Sequence, residues 1–243
     1  MVKILHLFPK LMNLYGDYAN VTVLKRHLED QGQKVIVDKK DIGDLINFDE
    51  YDFIYMGSGT ESNQIIALNE LKKYVDSLEY CIVNNKVFLF TGNAMELFGK
   101  SIDEHEGLDL FDFIVKHTDK RHSGDVIVNN NEIGDVVGFI NRSSQLFSSE
   151  DNTLFNYVFK DSNIIDGTTE GYRFNNLFCT HIIGPVLVKN PNFMKYIVKL
   201  LLPKDCKYKD IDYPFEKESY TVTLNSLKDR IKWLVISSSL DGK

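Results

Sequence analysis

The chain has 243 residues, 43% of them hydrophobic and 26% charged, a composition that fits a folded globular protein and excludes a largely disordered one. Its 28 basic and 35 acidic residues give a formal net charge of −7, whereas a general nucleic-acid binder usually carries a basic excess. The length fits one large domain, or one domain with a substantial extension.

The start of the chain gives no sign of export. A short apolar stretch is broken by His6, Pro9 and Lys10, and no small-residue cleavage site follows it. No apolar run approaches the ~18–20 residues that a membrane span needs. We therefore expect a soluble cytoplasmic protein without a membrane span.

Strand and helix patterns alternate over the first hundred residues. Buried-strand patterns lie at 2–8, 34–37, 53–56 and 87–90. Helical spacing links Val21, Leu24 and Leu28 in a helix that ends near Gly32, and Leu68, Leu71, Val75 and Leu78 in a second helix. This alternation predicts an α/β fold with a mostly parallel sheet and helices on both faces. Because ligands of such sheets bind beyond the carboxyl ends of the strands, we expect a site at 9–17, 57–61 and 91–93.

Beyond residue 108 the pattern changes. Short strand-like runs at 111–116, 125–128, 136–140 and 177–183 alternate with turns rich in Asn, Ser and Gly. Asn190 and Pro191 favour the N-cap and first turn of a helix that Pro203 ends. The charged tail is expected to end in a helix that carries Leu224, Leu227, Ile231 and Leu234. We divide the chain into a main domain at 1–202 and a helical C-terminal extension at 203–243.

The cysteines and histidines predict no cofactor. Cys81, Cys179 and Cys206 are far apart and odd in number, which indicates neither a disulfide framework nor a zinc ribbon, although one catalytic thiol remains possible. The six histidines have no metal-binding spacing, and the sequence has no phosphate-binding GxxxxGK[ST] loop. We therefore expect no metal and no bound cofactor.

Two turns at strand ends are candidate parts of a site. Gly57, Ser58 and Gly59 follow the third strand, where backbone N–H groups can approach a ligand as in an oxyanion hole; a tight turn without a ligand is the alternative. The fourth strand turns at Gly92 directly into a short predicted helix. Such a turn exposes its residue beside a helix N-terminus, which suits a nucleophile, and it strains the backbone in a way that glycine tolerates.

Four segments form a further pattern: PKLMNLYGD at 9–17, GSGTE at 57–61, GNAMELFG at 92–99 and THIIGP at 180–185. In this order they resemble the signatures of the class I glutamine amidotransferases, in particular the glutaminase subunit of lipid II isoglutaminyl synthase and cobyric-acid-synthase-type domains. The last three fall where the family has Gly-Gly-Gly-Gln-Asp-like, Cys-Gly-Gly-Tyr-Gln-Leu-Leu-Gly and Thr-Tyr-Leu-His-Gly-Pro sequences. The resemblance covers roughly the first 200 residues and implies the flavodoxin-like α/β fold of that family.

The departures from the family fall on its chemistry. The family's cysteine attacks the side-chain amide of glutamine, its histidine moves the proton, and the ammonia passes to a partner active site. The resemblance places Gly92 at the cysteine and Ile183 at the histidine, which implies a catalytically degenerate pair. Cys179 and His181 are possible substitutes, since residues two apart share one face of a strand, and Ile183 would share that face too.

The resemblance also implies a ligand-binding role. Arg121 matches a family arginine that engages the substrate carboxylate, although a solvated surface charge is the alternative. With Gly57, Ser58, Gly59 and Asn93 it forms the set expected to bind glutamine or a related small ligand.

Three functions remain open. The first is a binding or regulatory subunit without glutaminase activity, with a Mur-ligase-like ATP-dependent protein partner in cell-wall amidation. The second is an active enzyme, either another hydrolase or a glutaminase with a displaced dyad that supplies ammonia for lipid II or cobyric acid amidation. The third is a small-ligand sensor. A thiol and an imidazole within ~3–4 Å in the cleft beside Gly92 would favour the enzyme, and apolar side chains filling that cleft would favour the binding subunit. An open cavity lined by Arg121 and 57–61, with no acid/base pair, would favour the sensor.

Overall fold

The computed structural model describes residues 1–148, 151–165 and 167–240, with side chains described up to residue 232. The strands are β1 (Val2–Leu7), β2 (Val35–Lys40), β3 (Phe53–Met56), β4 (Val87–Thr91), β5 (Ser101–Ile102), β6 (His105–Glu106), β7 (Phe113–Asn130), β8 (Gly134–Ser148), β9 (Phe155–Lys160), β10 (Thr169–Glu170), β11 (Tyr172–Phe174), β12 (Leu177–Thr180) and β13 (Ile182–Ile183). The α-helices are α1 (Ala19–Asp30), α2 (Glu61–Leu71), α3 (Val75–Val83), α4 (Val186–Lys189), α5 (Pro191–Leu201) and α6 (Pro214–Leu240). Short 3-10 segments cover Leu14–Gly16, Phe48–Glu50, Lys72–Tyr74 and Gly92–Phe98.

The first sheet has six strands in the order β11-β12-β4-β3-β1-β2, and every pair except β11–β12 is parallel. Side chains alternate between two buried layers, since Ile4 lies in the core with α1 and α5 and Leu5 lies in the core with α2 and α3. Both faces are therefore covered by helices, and the predicted α/β fold with a mostly parallel sheet is confirmed.

The second sheet is built around a long antiparallel hairpin of β7 and β8, to which β5, β6, β9, β10 and β13 add. The runs predicted at 111–116 and 125–128 belong to the single strand β7. Its exposed middle interrupts the hydrophobic pattern, and the pairing with β8 shifts register between His117 and His122. The apolar pattern therefore predicted two separate strands, whereas the structure has one continuous strand.

The chain changes sheets at His181. The predicted strand at 177–183 is divided into β12, which pairs with β4 in the first sheet, and β13, which pairs with β8 in the second. The backbone N–H of His181 donates to Glu170 Oε1 at 2.7 Å instead of to a neighbouring strand. Cys179, His181 and Ile183 therefore do not share one face of a continuous strand.

Two predicted helical features also differ in detail. The helix expected to link Leu68 and Leu78 is broken by the 3-10 segment Lys72–Tyr74. Asn190 precedes α5 as expected but does not cap it with its side chain, which instead accepts from Val137 N at 2.8 Å and donates to Val137 O at 2.9 Å. It therefore ties the start of α5 to β8.

The C-terminal extension folds back onto the second sheet. Leu227 of α6 packs with Ile127, Val137 and Phe159, and Arg230 pairs with carboxylates on β7 and after β9. The predicted helix position Leu234 lies beyond the residues whose side chains are described. In the part of the chain that the structure describes, no helix is both long and apolar enough to span a bilayer.

Candidate functional site

The site is organised by the turn that follows β4. Gly92 has a φ of +59°, in the left-handed region that glycine adopts far more readily than other residues. The chain then continues as the 3-10 segment Gly92–Phe98, where the sequence predicted a short helix. The backbone thus forms the sharp strand-to-helix turn that would present a nucleophile, with glycine at the turn position.

The space beside Gly92 is already filled. A Cβ at this position would lie 2.6 Å from both Cβ and Oγ of Ser58, and 3.1 Å from Cγ2 of Ile183. These distances are shorter than ordinary van der Waals contact. Ile183, which the motif aligns with a histidine, therefore contacts the turn, and no volume is left for a side chain at Gly92.

The loop after β3 approaches the same turn. Ser58 N–H donates to Asp17 Oδ2 at 2.8 Å, and Gly59 N–H donates to Asn93 Oδ1 at 2.9 Å. A Cβ at Gly57 would lie 2.8 Å from the Asp17 side chain, so this close approach requires glycine. Two of the backbone N–H groups expected to approach a ligand, those of Ser58 and Gly59, are thus bonded within the protein.

Asp17 is a buried carboxyl beneath this loop that the sequence analysis did not single out. Besides Ser58 N–H, it accepts from Thr91 Oγ1 at 3.3 Å. Burial raises the pKa of Asp17 to about 7, although these hydrogen bonds oppose the shift. Asp17 is the last residue of the PKLMNLYGD segment, and this motif was the feature of the sequence that could have pointed to it.

A cavity of about 200 Å³ opens above the turn. Its wall is formed by Leu14, Tyr15, Ser58, Gly59, Thr60, Glu61, Gly92, Asn93, Glu96, His117, Arg121, Asn141, Arg142, Ser143, Ser144 and His181. Arg121 reaches it from β7 and donates through Nε to Asn141 Oδ1 at 2.5 Å. The structure thus brings together six of the predicted residues, Ser58, Gly59, Gly92, Asn93, Arg121 and His181, while Gly57 packs behind the loop on Asp17.

His181 lies between two buried glutamates at the inner end of the cavity. Its Nε2 is 3.3 Å from Glu96 Oε1, and its Nδ1 is 3.7 Å from Glu170 Oε1. Burial opposes charge on the imidazole, but the hydrogen bonds and charges of the two carboxylates raise the pKa of His181 overall. Glu96 is fully buried, and it also accepts from Gln64 Nε2 at 2.7 Å and from the Ser144 hydroxyl. The two carboxylates thus hold the imidazole in place at the inner end of the cavity.

Cys179 does not face this histidine across the cavity. Its side chain packs in the core of the first sheet with Phe88 and Phe90, and only 1% of it is exposed. Burial raises the pKa of the Cys179 thiol well above its usual value, which disfavours the reactive thiolate. The Cys179/His181 pair considered as a substitute therefore lacks an accessible thiol.

Comparisons with known proteins identify the family. A model of the CobB/CobQ-like glutamine amidotransferase domain matches residues 3–191. Two GatD subunits of lipid II isoglutaminyl synthase (glutamine-hydrolyzing) are each 30% identical to the chain, one from Staphylococcus aureus (strain N315) and one from Streptococcus pneumoniae (strain ATCC BAA-255 / R6). The first covers 88% of this chain and 87% of its own length, and the second covers 88% and 85%.

Solved structures share the fold. PurLQS from Thermotoga maritima has a TM-score of 0.57 at 13% identity and covers 83% of this chain and 100% of its own. A glutamine amidotransferase from the same organism has a TM-score of 0.55 at 12% identity, with 94% and 97% covered. At these identities the two structures establish the fold alone.

Proposed function

Since the chain belongs to the CobB/CobQ-like glutamine amidotransferase family, we propose that it acts as a catalytically degenerate subunit in the amidation of lipid II. In this role it binds a small ligand or regulates a partner, and it does not hydrolyse glutamine. The relatives' role in a glutamine-hydrolysing synthase supports the pathway, and the geometry of the turn at Gly92 supports the loss of chemistry.

The observation that carries the proposal is the filled space beside Gly92. In the family signature the loop position of Ser58 is glycine, which leaves room for the nucleophile. Here the Ser58 side chain occupies the volume that a Cβ at Gly92 would need, and Ile183 contacts the same volume. Such complementary changes are expected when a side chain has been lost and its neighbours have packed into the vacated space.

The cavity still supports ligand binding. It is open to solvent and presents the Arg121 guanidinium, which suits a carboxylate. A displaced dyad of Cys179 and His181 has little support, because the Cys179 thiol is buried in the core of the first sheet. This combination favours binding over hydrolysis.

The relatives' names suggest the kind of partner. Both are subunits of a synthase that needs an ammonia acceptor and an activating step, so we propose a Mur-ligase-like ATP-dependent partner, in the cytoplasm and in cell-wall rather than cobalamin metabolism. A complex that copurifies when the two proteins are coexpressed would support this assignment. Failure to associate would contradict it.

Glutamine hydrolysis by the purified chain tests the loss of chemistry. The parent protein is expected to release no ammonia above the background of heat-inactivated protein. The variants Cys179→Ala and His181→Ala serve as matched controls, because activity that depends on either residue would establish the displaced dyad. Ammonia release by the parent protein above this background would overturn the proposal, and its loss in either variant would assign it to the displaced dyad.

A further inference from the structure

The Asn93 side chain makes a two-point contact with the backbone of Gly59. Its Oδ1 accepts from Gly59 N–H at 2.9 Å, and its Nδ2 donates to Gly59 C=O at 3.0 Å. The Ser58 hydroxyl also donates to Asn93 Oδ1, at 3.2 Å. The carboxamide of this side chain therefore satisfies the donor and acceptor groups that the loop turns toward the cavity.

The chemistry of the contact fixes the orientation of the amide. With its oxygen and nitrogen exchanged, Asn93 would set its NH₂ group against the Gly59 N–H and its oxygen against the Gly59 carbonyl. The observed pairing of one donor and one acceptor is complementary to a carboxamide and to no carboxylate, which can only accept. Gly59 thus presents a recognition element for an amide.

We propose that Asn93 is a specificity-determining residue: its side chain is a built-in occupant of an amide subsite and closes the cavity to ligands that carry a side-chain carboxamide. The inference rests on the proposed function, in which the cavity binds a small ligand. Arg121 lies in the wall of the remaining cavity, where its guanidinium suits the carboxylate that glutamine and glutamate share. With the amide subsite occupied, the cavity would not favour glutamine over glutamate. The family signature that the segment resembles has glycine at this position, which has no side chain to place there.

Tethering makes the internal amide hard to displace. Asn93 follows the turn residue directly, and its own carbonyl accepts from Gln64 Nε2 at 2.8 Å, so its position is fixed without the ligand. A tethered group competes at an effective concentration far above that of a free ligand. An incoming amide would also regain no more hydrogen bonds than it breaks.

Removing the side chain should open the subsite. We compare the full-length parent protein with Asn93→Ala by isothermal titration with L-glutamine and with L-glutamate. We expect Asn93→Ala to bind glutamine at least roughly tenfold tighter than the parent protein does, which corresponds to one or two net hydrogen bonds. The affinity for glutamate should change much less. Asn63→Ala is the matched control, because Asn63 also donates its amide to a backbone carbonyl, that of Leu11 at 3.0 Å.

Each result bears on the proposal. Three results would overturn it. Asn93→Ala could gain affinity equally for both ligands, or it could fail to bind glutamine. The third is that the parent protein already binds glutamine more tightly than glutamate. If Asn93→Ala does not fold, hydrogen exchange at the Gly59 amide in the parent protein decides: strong protection is expected, and rapid exchange would overturn the proposal. Ammonia release measured in the same samples reports separately on the proposed function, since it would contradict the loss of catalysis without bearing on Asn93.

Discussion

At the scale of single residues, the turn after β4 shows how four positions fit together. Gly92 keeps the strained backbone of the turn, and Ser58 and Ile183 fill the space beside it. Asn93 takes the Gly59 N–H that a ligand would use. Restoring a thiol alone would therefore not restore a working site, because the volume and the donors are both occupied.

Gly92→Ala tests the filled space. The substitution should cost backbone strain and overpacking against Ser58, whereas Gly43→Ala should cost strain alone, because Gly43 also has a positive φ but has nothing within 4 Å of its Cβ position. Gly92→Ala is expected to lower the free energy of unfolding by about 1–3 kcal/mol more than Gly43→Ala in urea denaturation.

The double variant Ser58→Gly/Gly92→Ala, compared with the two single variants, gives a double-mutant cycle. Removing the Ser58 side chain should relieve most of the overpacking, so the two substitutions should be strongly non-additive. Additive effects, or equal costs at Gly92 and Gly43, would show that the space beside Gly92 is not filled in the way described.

Asp17 predicts a pH dependence of stability. Its folded pKa of about 7 lies above the ordinary value of 3.8, so the folded protein retains a proton that the unfolded chain has lost between these values. The contribution of Asp17 to stability is therefore largest at low pH and falls as the pH rises through this window, by up to about 1.4 kcal/mol per pH unit. Above pH ~7 it should be constant.

Asp17→Asn removes the titration and keeps an oxygen that can accept from Ser58 N–H. The difference in unfolding free energy between the parent protein and this variant should decline from pH ~4 to pH ~7. Chemical denaturation across this range measures it. A difference that stays constant or grows with pH would contradict the buried, protonated carboxyl.

At the scale of elements, the junction between β12 and β13 joins the two sheets at His181. Glu96 from the 3-10 segment and Glu170 from β10 both lie beside its imidazole. This buried cluster therefore links the junction to both of these elements. Buried ion pairs are costly to break by removing one partner, because the other charge is left uncompensated. We therefore assign this cluster mainly to holding the junction in place.

Glu96→Gln tests the cluster. We expect a loss of about 3 kcal/mol of unfolding free energy, compared with less than about 0.5 kcal/mol for Glu29→Gln, which breaks only the exposed pair with Lys25. The raised pKa of His181 means that its stabilisation is fully present below pH ~6.5 and is lost as the pH rises through the folded value. The deficit of Glu96→Gln should therefore shrink at alkaline pH, and a deficit that does not depend on pH would argue against the ion pair.

The packing of the C-terminal helix α6 on the second sheet can also be tested. Leu227 is 6% exposed against the second sheet, whereas Phe215 on the same helix is 84% exposed. Leu227→Ala should destabilise the protein by about 2–4 kcal/mol, and Phe215→Ala should change the unfolding free energy by less than about 0.5 kcal/mol. Equal effects would show that α6 does not pack on the sheet in solution.

At the scale of the whole molecule, the sequence predicted the parallel sheet because its strands are short, apolar and separated by amphipathic helices. The motif order also predicted the family, which the comparisons confirm. The long strand β7 could not be predicted, because the polar residues in its exposed middle interrupt the apolar pattern by which a strand is recognised. Only its pairing with β8 shows that the two halves are one strand.

The site was predicted only in part. Spacing located Gly92 and the loop after β3, and the motif alignment placed Ile183 at the family's histidine position. It could not show that Ser58 fills the nucleophile's volume or that Asn93 bonds to Gly59, because both depend on distances between separate segments. The ion pairs of His181 were also beyond prediction, since the chain leaves the strand at that residue.

Glutamine hydrolysis by the chain assembled with the ATP-dependent partner that we propose tests the loss of chemistry most directly, because a partner can activate a silent glutaminase. Formation of glutamate from labelled glutamine is followed by NMR, with the assembled Staphylococcus aureus relative as the positive control. We expect no glutamate beyond that formed by the partner alone. Turnover that requires this chain would contradict the claim that its amidotransferase site has lost its chemistry.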